Sequence, residues 1–335
     1  MGIQSLSYNQ DVSLLVVGTD NGFAIYDLNP DIEVKLKYDK LGGGVGVMRG
    51  LYRTNLFVII GGGIDPFKSK NVCIVWDDSR KTDVLNIQTN GPINNALLSK
   101  DRIVIVNRKQ ITVFDHEGDT QDIKATYAND KGICVINSYE KKPVIATLGS
   151  KKGEILVWKL NLNECKTIQA HESNIECIAL NTDGSLVATA SEKGTIIRVF
   201  NVESGENIYS FRRGSIGASI YDICFSQEAH PYYLACCSNN GTVHIFELYN
   251  DKNKSKNIKS VFSGLEDYIP SIMNGEYFGS EWGFKQIPIN STEKMICGFS
   301  KDNVLHVTCY DGRYYKIFGK EFENIKENNL LIDST

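Results

Sequence analysis

The sequence predicts an all-β chain, a seven-bladed β-propeller of WD-repeat-like organisation. Short apolar runs ending in an aromatic or aliphatic residue recur at intervals of roughly forty residues. Most follow a glycine or polar turn, and most are preceded by a second β-rich run, so they pair as hairpins. Long amphipathic-helix patterns are nearly absent, which leaves no room for an α/β fold.

The repeats run in order along the chain. They are "GTDNGFAIYDL" (18–28), "NVCIVWDD" (71–78), "RKQITVFDH" (108–116), "KKGEILVWKL" (151–160), "EKGTIIRVFNV" (192–202), "NNGTVHIFEL" (239–248) and "YDGRYYKIFG" (310–319). Seven units of this period, each of about four strands, suit one cooperative ring over residues 1–335. Two stacked sandwiches would not explain the regular period. The interval between the sixth and seventh units is too long, and residues 249–280 form an insertion. It starts basic and asparagine-rich, ends apolar and aromatic, and exceeds ordinary loop lengths, as functional segments and disordered connectors do.

Composition narrows the functional classes. With 42% hydrophobic and 23% charged residues the chain is globular, and 335 residues can bury a substantial core. A formal charge of −4 argues against broad nucleic-acid binding, which needs a basic face. "LFVII" (56–60) is about the longest apolar run, far short of the ~20 residues that span a bilayer. The start "MGIQSL" carries no secretory signal, and Leu6 stands where a myristoylation pattern expects Ser or Thr. The nine cysteines include no C-x-x-C pair, and Cys73, Cys134, Cys177, Cys224, Cys236 and Cys309 sit in strand-like runs as small hydrophobes. That usage predicts a reducing, cytoplasmic compartment. The five histidines show no metal-ligand spacing, and no cofactor is expected.

Two glycine runs, "GGGVG" (42–46) and "GGG" (61–63), lack the Lys-Ser/Thr ending of a phosphate loop and read as turns or close backbone packing. Asp77 and Asp78 have no accompanying His or Ser and read as strand-end residues. No set of catalytic groups stands out, so an enzyme is not expected.

The distinctive stretch is "SFRRGSIGASIYDICFS" (210–226), with two adjacent arginines in an acidic chain. Successive side chains of an extended strand point to opposite sides, so Arg212 and Arg213 are suited to two pockets rather than one. If that strand opens the sixth blade, one arginine faces the fifth blade and the other the sixth. A guanidinium fork suits phosphate, and the flanking repeats supply hydroxyl donors.

"FRRG" (211–214) following "LVATASEKGTIIRVFNVESGE" (186–206) resembles the PROPPINs, and so do "NLFVIIGGG" (55–63), "AHESNIECIALNTDG" (170–184) and "EYFGSEWGF" (276–284). That resemblance covers nearly the whole chain. It implies a seven-bladed propeller binding phosphatidylinositol 3-phosphate and 3,5-bisphosphate, acting in autophagy or at endosomal, vacuolar or preautophagosomal membranes. By position in the family pattern, the first site is Arg212 with His171, Ser191 and Thr195. The second is Arg213 with Ser238, Thr242 and His244, joined by Arg198. His171 also fits a blade-stabilising WD-repeat histidine, and His244 alternates with apolar neighbours as a satisfied strand histidine would. Ser191 and Thr195 equally suit a hairpin turn.

Within the insertion, Leu265, Tyr268, Ile269, Ile272 and Met273 are expected to anchor the protein in the interface. The expected partners are phosphoinositide membranes and autophagy proteins held by other blade loops, with the chain monomeric in solution. The competing class is a protein-only scaffold whose arginine pair reads acidic peptides. Histidines in both sets predict that affinity rises as pH falls toward ~6.

Overall fold

The computed structural model describes residues 2–139, 141–227, 232–248, 281–282 and 285–330. Among the described residues the strands form seven sheets arranged as blades, antiparallel except where one short strand adds in parallel to the fifth. The first blade is β1 (Ile3–Tyr8), β2 (Leu14–Thr19), β3 (Gly22–Asp27) and β4 (Glu33–Tyr38). The second is β5 (Val45–Gly50), β6 (Leu56–Gly61), β7 (Val72–Asp77) and β8 (Thr82–Gln88). The third is β9 (Ile93–Leu98), β10 (Ile103–Asn107), β11 (Gln110–Phe114) and β12 (Thr120–Ala125). The fourth is β13 (Cys134–Ile136), β14 (Val144–Leu148), β15 (Glu154–Lys159) and β16 (Glu164–Gln169).

The fifth blade comprises β17 (Ile175–Leu180), β18 (Leu186–Ser191), β19 (Ile196–Asn201) and β20 (Asn207–Arg212). The sixth begins with β21 (Ile220–Phe225), β22 (Tyr232–Ser238) and β23 (Thr242–Leu248). A two-residue strand, β24 (Glu281–Trp282), adds to the fifth blade, and β25 (Lys285–Pro288) completes the sixth. The seventh is β26 (Met295–Phe299), β27 (Leu305–Cys309), β28 (Arg313–Phe318) and β29 (Asn324–Asn329). The expected all-β, seven-bladed propeller is what the chain forms.

Burial along each blade follows from strand order. The second and third strands are almost wholly buried: β2 and β14 have no exposed residue. The fourth strands face outward and alternate or expose their side chains, as in "TDVLNIQ" of β8 and "TQDIKA" of β12. Runs rich in Val and Ile, apolar on both faces, can be satisfied only between two other sheets.

The core is divided accordingly into seven apolar clusters, each shared by two adjacent blades. Phe211, Ile223, Leu234 and Phe246 join the fifth and sixth. Leu6, Leu15, Tyr26, Tyr314 and Leu330 join the first and seventh. Each of those two terminal blades is built from one continuous stretch of chain, so packing and side-chain bonds close the ring instead of a shared sheet. Tyr8 Oη lies 2.7 Å from Thr308 Oγ1, and Lys326 Nζ lies 2.6 Å from Asp31.

The glycine runs serve close packing, as their composition suggested. A Cβ on Gly62 would lie 2.2 Å from the Gly46 Cα, so neither backbone tolerates a side chain there.

One sequence expectation about placement is corrected. The arginine strand closes the fifth blade: Arg212 ends β20, and Arg213 begins the connection to β21. The insertion lies between the landmark runs of the sixth and seventh blades, and β23 before it and β25 beyond it pair in the sixth sheet from Thr242↔Pro288 to Ile245↔Lys285. The anchoring residues proposed there, Leu265, Tyr268, Ile269, Ile272 and Met273, lie outside the described residues.

Candidate functional site

The site is built where two hairpin turns meet the connection between blades five and six. Gly194 lies in the β18–β19 turn, with its N–H donated to Ser191 O at 2.8 Å. Strand β20 pairs with β19 through Ile196↔Arg212, which brings both arginines to this same end. The Arg213 N–H then donates to Thr195 O at 2.9 Å, and Asn239 N–H to Ser219 O at 3.0 Å ties the sixth-blade turn alongside. Ser238 and Thr242 face each other across that turn, with His244 two residues further along β23.

Arg213 is nearly inaccessible, at 4% exposure. Its Nε donates to Gly194 O at 2.8 Å and its Nη2 to Ile216 O, so the fork is locked by main-chain carbonyls of the fifth blade and its own loop. Burial pulls its pKa below the ordinary arginine value. The same charge, after burial itself, helps push His244 in the sixth blade down to about 4. Arg213 therefore holds on to one blade and projects its field on the other.

In that field, His244 Nδ1 and Ser238 Oγ are buried with no hydrogen-bond partner among the described residues. Unpaired buried polar atoms cost about 1–3 kcal/mol each, and two beside one desolvated guanidinium call for an explanation. Anion oxygens would supply one. His244 is held in place by stacking near Phe246, at 6.4 Å and 12°, and Phe246 stacks on Phe211 at 4.8 Å.

The first set resolves differently. His171 Nδ1 accepts from Arg198 Nη1 at 3.4 Å, and its Nε2–H donates to Thr189 Oγ1 at 2.9 Å. The Thr189 hydroxyl donates to Arg198 O at 3.5 Å, which closes the circuit. Arg198 Nη1 also donates to Ala170 O at 2.6 Å. Burial first, and the Arg198 charge second, push His171 down to about 4, so the ring is neutral. The structural role that the sequence allowed for His171 is the one its bonds serve. Arg198, grouped by sequence with Arg213, sits with His171 instead: strand register places it opposite Thr189 and Ser210 of its own blade.

Ser191 is buried at the end of β18, and Thr195 is half-buried beyond it. Arg212 is also half-buried, with its main chain between Ile196 of β19 and Trp282 of β24. Strand β24 therefore brings the chain just past the insertion to the first arginine. Sequence reasoning missed Thr189 and Gly194, although both lie inside the quoted "ATASEKGT" string.

These surroundings remove the basis of the pH expectation. His306, buried between Ser300 and Tyr314, is pushed down to about 3, so three histidines stay neutral in the fold. Each adds stability at neutral pH that is lost as pH falls below the unfolded value of ~6.5 toward 4. Asp222, raised to about 6 by burial, works the other way and offsets roughly one of them. The melting temperature is expected to drop by roughly 5–10 °C between pH 7 and pH 5. A flat profile in calorimetry would contradict the three neutral rings. Headgroup affinity is correspondingly expected to stay level down to pH 6, since neither imidazole of the free protein gains charge there.

Seven blades in a ring, with two adjacent arginines where the fifth blade meets the sixth, define the class of this chain: a β-propeller. The chain belongs to the PROPPIN family, whose model matches residues 2–276. Autophagy-related protein 18e of Arabidopsis thaliana is 32% identical over 93% of this chain and 82% of its own length. Autophagy-related protein 18 of Dictyostelium discoideum is 30% identical over 99% and 94%. Among solved structures, Kluyveromyces lactis Hsv2 superposes with a TM-score of 0.76 at 23% identity, covering 98% of both chains. KlAtg21, solved with the coiled coil of AgAtg16, gives 0.77 at 24% identity over 98% and 100%. The two structures are similar to this chain in fold.

Proposed function

We propose that this protein is a non-enzymatic membrane-recruitment module for 3-phosphorylated inositol lipids, acting on autophagy-related, endosomal or vacuolar membranes. The observation that carries this reading is the blade-six set: buried Arg213 beside His244 Nδ1 and Ser238 Oγ, both unpartnered among the described residues. Thr242, opposite Ser238, supplies a further hydroxyl. Phosphate oxygens accept from hydroxyl, imidazole and guanidinium alike, which suits this set to a headgroup phosphate.

The second pocket in this reading is Arg212 with Ser191 and Thr195, backed by the Arg198–His171 pair as a fixed positive wall. Two modest sites facing one bilayer gain by effective concentration. The insertion, with Leu265, Tyr268, Ile269, Ile272 and Met273, adds apolar anchoring. The loops of the other blades are free to hold protein partners, and a coiled coil like the one bound to the structural neighbour is one such partner.

The test is flotation with vesicles carrying the 3-phosphate, the 4-phosphate or the 4,5-bisphosphate at matched charge. Binding is expected to require the 3-phosphate and to weaken with salt. Equal flotation on all three would reduce the arginines to a generic anionic contact. Binding of acidic peptides with no flotation would favour a protein-only scaffold.

A further inference from the structure

Between the two pockets, the connection from β20 to β21 carries an isoleucine facing solvent. Ile216 is 76% exposed, and among the described residues only Ile64 is more exposed within the large hydrophobics. One exposed isoleucine is unremarkable by itself. Its attachment is what distinguishes this one. The Ile216 carbonyl accepts from Arg213 Nη2, the guanidinium whose Nε is fixed to Gly194 O. The loop behind it is pinned as well, because Gly194 lies directly against the Ala218 carbonyl, where an added Cβ would be only 1.8 Å away. Lys193, on the neighbouring turn, is 66% exposed and lies 3.8 Å from the fully solvated Glu172, a contact too weak to neutralise it. The rim thus presents a rigidly held apolar side chain and a cation on either side of the phosphate-suited turn.

We infer that Ile216 is a membrane anchor, entering the lipid interface when the adjoining pockets hold headgroup phosphates. This rests on the phosphoinositide reading above. Of the possible occupants, a bilayer is favoured because an apolar tip beside a lysine matches the layering of an anionic interface: phosphates outside, acyl chains within. The 249–280 insertion begins after Leu248, at the end of β23 away from the Ser238–Thr242 turn. Because its carbonyl and the phosphate site share Arg213, the side chain is offered without further ordering of the loop.

The experiment compares wild type, Ile216→Ser and Ile216→Trp. The probes are a soluble short-chain phosphatidylinositol 3-phosphate and phosphatidylcholine vesicles carrying the long-chain lipid. Ile216→Ser is expected to keep headgroup affinity and lose roughly tenfold in vesicle partition, the worth of about two interfacial methylenes. The indole introduced by Ile216→Trp is expected to shift to the blue on vesicles and to be quenched by brominated acyl chains, relative to wild type. Unchanged partition for Ile216→Ser, or an indole that stays water-exposed on bound vesicles, overturns the anchor while leaving the phosphate reading intact. Equal loss in headgroup and vesicle binding overturns it too, since the side chain would then be supporting the pocket. Failure of wild type to bind either probe removes the phosphoinositide reading, and the anchor with it.

Discussion

Replacing both arginines, Arg212→Ala with Arg213→Ala, is expected to abolish vesicle binding, while each single change weakens it by at least tenfold. Two weak sites on one surface multiply, so removing either costs more than its own affinity. Isothermal titration with soluble headgroup should give two sites in wild type, one in each single variant and none in the double. The singles should differ in stability. Arg212 is half-buried at a strand end, and its truncation is expected to cost less than that of the nearly inaccessible Arg213. Arg213→Ala orphans the Gly194 and Ile216 carbonyls in a buried setting, which costs on the order of 1–3 kcal/mol. Arg213→Lys separates the contributions, because an ammonium keeps the charge and cannot reach both carbonyls as a planar fork does. One site in wild type would end the two-pocket account.

The repeats were legible because each buried strand pair must be apolar on both faces, and that demand leaves a mark every blade. The arginine pair was legible for the opposite reason, as charge with no local excuse. Less could be read where an assignment depends on which strands become neighbours. Arg198 lies in sequence between Thr195 and the two arginines, and only the register opposite Thr189 and Ser210 puts it with His171. The fourth strand of blade six, "KQIP", is short and polar, so nothing local announced that the chain returns to that blade after the insertion. The imidazole pKa values depend on burial by remote chain, which is why the sequence suggested a pH response that the fold removes.

Gly194→Ala should damage the site more than any other single change away from the arginines. Gly194 has φ of +59°, in the left-handed region that costs a residue with a Cβ roughly 1 kcal/mol. Strain is the smaller part. The new Cβ would fall 1.8 Å from the Ala218 oxygen and 2.9 Å from its carbonyl carbon, so one main chain must move. Either movement pulls on the Gly194 carbonyl that receives Arg213 Nε, and on the loop carrying Ile216. The expected loss is on the order of 2–4 kcal/mol of stability, with headgroup stoichiometry falling from two to one. Gly205 provides the comparison within the same blade. It is also left-handed, at φ +78°, yet the nearest atoms to an added Cβ are the Lys166 side chain at 3.4 Å and Ile168 beyond it. Gly205→Ala should therefore cost only the strain, about 1 kcal/mol, and bind headgroup as wild type does. Denaturant unfolding and titration on both variants decide the matter. If Gly194→Ala matched Gly205→Ala in both measurements, the turn would not be what holds the second pocket.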